Sequence, residues 1–515
     1  MGIPYFFKAL IDRHRDLIVP WRSQRVSRLF LDYNCLIHQC ANLVASTPCY
    51  RDIDLYNLVI QSTLLYTQQV VQMVNPHAMV YIAVDGPCPR AKMQQQRKRR
   101  YLASWRSEMF PTQQTHQPHN QPKICKWDSN VVTPGTEFMH LLMHHLTVFT
   151  RQQNLYRQHH NNPLYILTTS DEFGEGEHKI FHYLDKNPPK HPNQIDLVYG
   201  LDADLILLSL LRTNHNIMLL RETQNFNTKH NNHQQSPFLL FNTTKLRQYI
   251  NIPLHDYIVL CSLLGNDFVP PLSYLKIKDH ALDQIMTAYH SIKSDFPTTN
   301  LVVDGDLNMP FFALILCNLA KAEQIMLKEA IERLSKIAFD HSDPEAYPLL
   351  QPHPFDIDDP QWRAHWYHYL FGKYNSKTIN IACREYLYGI IWTLKYYISS
   401  PDTDFSWYYP FNYSPTISDL SVYSQTVEEP YILNLQKHNT FVSNVNPWLQ
   451  QLLIMPPKGF TPQQTLVASK LPHYYPSKFQ VVTFLKRFLW ECGVNLPEVD
   501  FERVLVESNK IRTSK

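Results

Sequence analysis

Four short apolar runs punctuate the first part of this chain, and each ends on or near a carboxylate. They read Arg28-Leu-Phe-Leu-Asp32, Met79-Val-Tyr-Ile-Ala-Val-Asp85, Leu164-Tyr-Ile-Leu-Thr-Thr-Ser-Asp171 and Asp196-Leu-Val-Tyr-Gly-Leu-Asp-Ala-Asp204. A fifth apolar stretch closes on Leu263-Leu-Gly-Asn-Asp267. Short apolar runs rich in β-branched and aromatic residues predict buried strands. Helix-like segments lie between them, at Leu55 to Val74, Glu137 to Asn154 and His178 to Leu184. Parallel strands need long, usually helical, crossovers, so this alternation predicts an α/β fold with a mainly parallel central sheet and flanking helices.

The rhythm changes in the second half. A long amphipathic helix is expected around Ala320 to Ala338, then a proline-rich connector from Pro344 to Pro360. The remainder is dense in Tyr, Trp and Pro, with a helix near Thr378 to Ile398 and the aromatic run Phe405-Ser-Trp-Tyr-Tyr-Pro-Phe-Asn-Tyr413. The expected division is therefore residues 1–290, 291–375 and 376–515, the last mostly helical and packed against the sheet. Thr112 to Lys123 and Gln224 to Pro237, rich in Gln, Asn and His, are expected to be surface loops.

A chain of 515 residues exceeds one ordinary core, so at least two domains are expected. With 44% hydrophobic and 18% charged residues it reads as soluble and globular. No apolar run approaches the ~18 residues of a membrane helix, and Met1-Gly-Ile-Pro-Tyr-Phe-Phe-Lys8 lacks the features of a signal peptide. A cytoplasmic or nuclear protein is expected. Nine scattered cysteines without a C-x-x-C pair argue against a disulfide framework and a zinc knuckle. The net charge of +3 does not announce nucleic acid, but Arg90, Lys92, Arg97, Lys98, Arg99 and Arg100 cluster directly after Asp85.

Seven acids stand out: Asp32, Asp85, Glu175, Glu177, Asp202, Asp204 and Asp267. Any one of them has an ordinary explanation as an N-cap, a turn residue or a first-turn acid favoured by the helix dipole. Together they need another account, because each buried, uncompensated charge costs several kcal/mol. In open parallel sheets ligands bind beyond the carboxyl ends of the strands, so converging acids there predict a hard divalent cation, Mg²⁺ or Mn²⁺. Asp202-Ala-Asp204, if extended, points both carboxylates to one face. Two such ions can activate a water and stabilise a leaving oxygen in phosphodiester cleavage.

Lys92, Gln96, Arg99 and Arg100 fall on one face of a predicted helix, where they could hold a phosphate beside the acids. A solvated helix or a nuclear localisation run are the ordinary alternatives. His38, six residues past Asp32, could stack on a base or fill the core, and the same choice applies to the aromatic run.

These motifs together resemble the Xrn-type 5'-to-3' exoribonucleases. The resemblance rests on Gly2-Ile-Pro-Tyr-Phe-Phe7, Leu31-Asp-Tyr-Asn-Cys-Leu-Ile-His-Gln-Cys40 and Val84-Asp-Gly-Pro-Cys-Pro-Arg-Ala-Lys-Met-Gln-Gln-Gln-Arg-Lys-Arg-Arg100. It continues through Asn130 to Met139, Gly174-Glu-Gly-Glu-His-Lys-Ile180, Tyr199-Gly-Leu-Asp-Ala-Asp204 and Gly265-Asn-Asp-Phe-Val-Pro270. In the second half, Tyr388 to Trp392, Trp407 to Pro415 and Trp448 to Pro457 extend it over nearly the whole chain. The resemblance implies a flap-nuclease-like core in which the seven acids bind two divalent ions. It implies that Lys92, Gln96, Arg99 and Arg100 hold a 5'-monophosphate and that His38 and Trp407 sandwich the terminal bases of single-stranded RNA. It further implies processive release of mononucleotides by a monomer in RNA decay, with decapping or helicase partners not evident in the sequence. Tyr5, Cys35, Phe173 and Pro271 depart from the family pattern, which usually has Lys, Gly, Pro and His at those places. A flap-type nuclease and a non-catalytic RNA-binding scaffold are the rival readings, and the presence of all seven acids speaks against the scaffold.

Overall fold

The computed structural model describes residues 2–22, 24–46, 48–49, 54–110, 123–124, 127–157, 162–222, 238–427 and 433–513. Gln224 to Pro237 and all of Thr112 to Lys123 except its last residue lie outside this set.

A seven-stranded sheet forms the frame. Its strands are β1 (Ile18–Pro20), β2 (Arg28–Asp32), β3 (Met79–Ala83), β4 (Leu164–Thr168), β5 (Ile195–Tyr199), β6 (Asn216–Glu222) and β7 (Phe238–Asn242). The spatial order is β1-β7-β6-β5-β2-β3-β4. The five strands from β6 to β4 are parallel, and the β6–β7 and β7–β1 pairs are antiparallel. The two central strands β2 and β3 are buried along their full length, as a sheet covered on both faces requires.

Successive side chains on a strand point to opposite faces, and the core divides accordingly. Phe30, Tyr81, Val198 and Leu219 enter one apolar cluster, whereas Leu29, Leu31, Val80, Ile82 and Leu197 enter another. The second cluster is closed by helices from the first half, α1 (Tyr33–Ser46) and the helices Leu55–Val74 and Glu137–Arg157. The first cluster runs on through Leu316, Tyr386, Trp392 and Leu485, so the helical half packs against one face of the sheet without a core break at residue 290 or 375.

Further helices frame the carboxyl edge of the sheet: α2 (Arg90–Met109), α3 (Gly176–Lys186), α4 (Asp204–Leu211), α5 (Leu254–Ser262), α6 (Ser376–Tyr397) and α7 (Pro447–Ile454). Three local expectations change. The fifth apolar stretch is helix α5, not a strand, and Asp267 sits in the loop beyond it. The helix expected over Ala320 to Ala338 is two helices, Met309–Ala320 and Glu323–Ser335, bent by 52°. The bend buries Glu323, whose carboxylate accepts N–H bonds from Ile417 (2.6 Å) and Ser418 (3.1 Å) at the start of the neighbouring helix. Finally, Asp202-Ala-Asp204 is not extended, because Ala203 has helical dihedrals and Asp204 opens α4.

Candidate active site

Strand order reverses between β2 and β5, the position where the crossovers before and after diverge and leave a crevice at the carboxyl ends. Asp32 is the last residue of β2, and Asp202 follows β5. Asp85 lies two residues past β3, Glu175 caps α3, Glu177 is in its first turn, and Asp204 and Asp267 come from α4 and the loop after α5. Close packing of the strand-end loops needs glycine. A side-chain carbon on Gly86 would fall 1.8 Å from the Glu172 carbonyl oxygen, and one on Gly176 would fall 2.8 Å from that of Ala83. The same loops are tied by Gly86 N–H to Gly174 O (2.9 Å) and Gly176 N–H to Asp85 Oδ1 (2.6 Å).

A cavity of about 750 Å³ opens at this edge. Asp32, Asp85, Glu175, Glu177, Asp202 and Asp267 line it, as do His38, Lys92, Gln96, Arg99 and Arg100. Asp204 does not line the cavity. It lies buried behind the acids, where Tyr397 Oη donates to its carboxylate at 2.8 Å. Tyr396 likewise donates to Glu175 (3.1 Å), so two consecutive residues of α6 hold two acids from the first half.

Crowding and burial keep several of these acids from ionising freely. Burial, with Asp85 and Asp202 nearby, holds Asp32 well above the carboxylate range. Burial and Asp204 do the same to Glu177, and burial and Asp267 push Asp204 up to about 7. Asp267 goes the other way. Burial would raise it, but Lys92 Nζ, donating at 2.7 Å, holds it well below the usual value. Lys92 also pairs with Glu175. Its ammonium is therefore engaged by the acid wall, while its position on α2 keeps it beside the cationic side chains.

Glu177 Oε2 is buried without a hydrogen-bond partner among the described residues. Ligand atoms of Glu175, Glu177 and His178 lie within 4.8 Å of one another. A buried carboxylate oxygen with no donor, in a set dominated by oxygens, fits a hard divalent cation. His178 was not among the residues singled out from sequence. Its ring stacks on Tyr396 at 3.7 Å, burial lowers its pKa well below the ordinary value and so keeps it neutral, and Nε2 has no partner among the described residues. The signal available was a metal-binding residue type directly after two acids.

The opposing wall is helix α2. Gln96 and Arg100 are buried on the cavity side and Arg99 is exposed. Arg100 Nη2 donates to Thr133 Oγ1, whereas its Nε and Nη1 are buried without partners among the described residues. Burial and the Arg99 charge lower its pKa to about 9. The other cations of the cluster face elsewhere, as helical periodicity requires. Arg90 donates to Val499 O (2.9 Å), and Arg97 to Pro497 O (2.7 Å) and Tyr474 O (2.6 Å), clamping α2 to the C-terminal region.

Several supporting residues carry no signal of their own in the sequence. Asn34 Nδ2 donates to Asp85 (2.9 Å), and its Oδ1 accepts the Asp85 N–H (3.2 Å). Gln450 on α7 accepts the Cys88 N–H (3.0 Å) and donates to Gln96 (3.4 Å). Arg221 on β6 donates to the Leu201 carbonyl and so fixes the turn that carries Asp202.

Of the two residues expected to stack on bases, His38 lines the cavity and Trp407 is not among its lining residues. His38 is half-buried on the cavity, and burial and Arg99 lower its pKa. Trp407 is packed beside Tyr388 (5.1 Å) and Trp392 (5.6 Å), and its Nε1 donates to Glu385 (2.9 Å). The rest of the aromatic run is divided: Tyr409 and Tyr413 are core, and the Phe405 carbonyl accepts the N–H of Arg90 at the start of α2. Of the four departures, Cys35 lines the cavity and Phe173 packs on Phe405 (5.2 Å). Pro271 closes the turn at Gly265, and Tyr5 lies in a separate cleft under Lys278.

Comparison with known proteins identifies the family. A family model described as the XRN 5'-3' exonuclease N-terminus matches residues 1–223, and one described as the Xrn1 helical domain matches 249–344 and 357–514. The human protein named 5'-3' exoribonuclease 1 is 26% identical over 98% of this chain, which spans about a third (34%) of that relative's length. The Drosophila melanogaster 5'-3' exoribonuclease 2 homolog is 24% identical over 98% of this chain and 70% of its own. Among solved structures, the catalytic core of Rad2 in complex with DNA substrate is similar over 73% of this chain and 97% of that one, at 14% identity and a TM-score of 0.34. The acid cluster and the family together point to use of a divalent metal. With both of its regions matched in order across nearly the whole sequence, the chain belongs to the XRN 5'-3' exonuclease family.

Proposed function

We propose that this protein is a processive 5'-to-3' exoribonuclease that degrades single-stranded RNA carrying a 5'-monophosphate to mononucleotides. The observation that carries the reading is the pairing, in one cavity, of an acid wall with buried Arg100 N–H donors that have no acceptor among the described residues. Charged guanidinium donors of this kind suit the acceptor oxygens of a phosphate monoester.

The acids Asp32, Asp85, Glu175, Glu177, Asp202, Asp204 and Asp267 supply the oxygen donors for two Mg²⁺ or Mn²⁺ ions. Bound there, the ions would supply an activated water and stabilise the leaving 3'-oxygen. Tyr396 and Tyr397 hold Glu175 and Asp204 in place by hydrogen bonds. Arg100, Gln96 and Arg99 would take the terminal phosphate, with Lys92 shared between that phosphate and the acids. His38, which lines the cavity, would stack on the terminal base. A terminal phosphate fixed at this distance from the acids directs cleavage to the next linkage. Cleavage there frees a 5'-mononucleotide and leaves a new 5'-monophosphate on the strand, so the product end is again a substrate end.

One RNA sequence with 5'-hydroxyl, 5'-monophosphate or 5'-triphosphate ends, beside matched DNA, tests the reading in Mg²⁺ and in Mn²⁺. Mononucleotide release mainly from the monophosphate RNA is expected, and equal use of all three ends would overturn the phosphate assignment.

A further inference from the structure

A second cavity, of about 320 Å³, lies on the other side of Arg99 and Asp267, and these two side chains line both. Helix α2 makes the partition. Its Lys92, Gln96 and Arg100 face the acids, while Lys98, two residues earlier in the chain than Arg100, faces the second cavity. Lys486 enters the same cavity from the C-terminal region.

Two half-buried ammonium groups in one small space repel each other, and a fold keeps them only if something offsets the repulsion. Among the described residues neither forms an ion pair. Lys98 Nζ donates to the Phe411 carbonyl (3.1 Å), and Lys486 Nζ lies 5.4 Å from the Tyr413 ring centre. Glu491 also lines the cavity and its charge offsets part of the burial cost of Lys486, while one of its carboxylate oxygens accepts the backbone N–H of Arg487 (2.9 Å) and Phe488 (3.4 Å). Burial, Arg97 and Lys486 lower Lys98 to about 7, and burial lowers Lys486. An entering phosphate would reverse both shifts. Phe411 and Trp490 also line the cavity, the latter 45% exposed at its rim, so an apolar ring face accompanies the cations.

We propose that this second cavity binds a nucleoside 5'-monophosphate, its phosphate on Lys98 and Lys486 and its base against Phe411 and Trp490. The inference rests on the nuclease reading for the identity of that nucleotide, which is the product of cleavage. Placed behind Arg99 and Asp267, the site gives the product a way out that does not require the remaining strand to back away. A route of that kind suits an enzyme that keeps hold of its RNA between cuts.

Calorimetric titration of the full chain with AMP, inorganic phosphate and adenosine, in EDTA, tests the site. Two equivalents of AMP are expected for the wild type, one at the Arg100 pocket and one here. Arg100→Ala should leave one equivalent, and Lys98→Gln/Lys486→Gln should remove that other one with at least a tenfold loss of affinity. Phosphate should bind more weakly than AMP, and adenosine not measurably. Lys98→Arg/Lys486→Arg should keep the second equivalent, and the Gln pair should melt no lower than wild type, since it removes a repulsion. An unchanged second equivalent in the Gln pair, or its loss in Arg100→Ala alone, would overturn the proposal, as would equal binding of phosphate and AMP. A protein that binds two AMP but cleaves no RNA would instead refute the nuclease reading and leave the site standing.

Discussion

The sheet region and the helical region contribute to one cavity in different ways. Residues up to β7 supply six of the seven acids and all four of the proposed phosphate ligands. The helical region adds a single acid, Asp267, and supplies many of the positioning contacts: Tyr396 and Tyr397 on the acids, Gln450 on Gln96, and the backbone of Val499, Pro497 and Tyr474 on the flank of α2. Most reactive groups come from the first region, and the groups that aim them come from both, with Asn34 on Asp85 and Thr133 on Arg100 in the first and Tyr396, Tyr397 and Gln450 in the second. Charges this crowded would disperse if left to themselves, so the second region has to be built around them.

If chemistry belongs mainly to the first region and the second contributes aim, substitutions should separate them by size of effect. Asp204→Ala is expected to reduce cleavage by ~10³-fold or more, the scale of losing a preorganised charge-stabilising group, while RNA binding in a filter assay persists. Retained cleavage would remove Asp204 from the chemistry. Arg100→Ala should cost about 10- to 100-fold in kcat/KM on monophosphate RNA, from 1.5–3 kcal/mol for a hydrogen bond to a charged group. It should leave 5'-hydroxyl RNA nearly unaffected, and an equal loss on both ends would mean a purely structural arginine.

A third test concerns the acids as a set. Burial raises Asp32, Glu175, Glu177 and Asp204, the last to about 7. The folded protein therefore keeps protons there that the unfolded chain has released. In EDTA their stabilising contribution is complete below about pH 4, the unfolded carboxylate value, and is lost as pH rises toward 7. A divalent cation takes the place of those protons. Adding Mg²⁺ or Mn²⁺ should raise Tm by a few degrees at about pH 7.5 and by less at about pH 5, and the opposite ordering would contradict the cation site. The smallest effect belongs to the helical region. Tyr397→Phe, losing one hydrogen bond, should cost about 1 kcal/mol of stability and less than tenfold in cleavage. A loss as large as that of Asp204→Ala would move α6 from aim into chemistry.

Much of this was legible before the fold was known. The runs at Arg28, Met79 and Leu164 became parallel strands, and the predicted helix at Leu55 to Val74 has those same bounds. Local apolar pattern decides such elements, because the strand and helix periods differ. The run before Asp267 misled, since a short apolar stretch buried on all sides reads alike as strand or helix. Asp202-Ala-Asp204 misled for a related reason: spacing alone does not reveal where a strand gives way to a helix. Trp407 lies within a conspicuous aromatic run, and its packing on Tyr388 and Trp392 depends on residues of another helix that no local pattern points to.

By itself, then, the sequence determined the kind of chemistry, because seven acids, a cationic helix face and their order are properties of residue type and spacing. It could not determine which buried groups would be left without partners. Asp204 behind the cavity, Lys92 between Glu175 and Asp267, and the two lysines of the second cavity all depend on residues far away along the chain, 193 positions for Asp204 and Tyr397 and 175 for Lys92 and Asp267. Desolvation and charge coupling act over a few ångströms in space regardless of separation along the chain. For that reason the ionisation and free valences of this site were decided only by the tertiary structure.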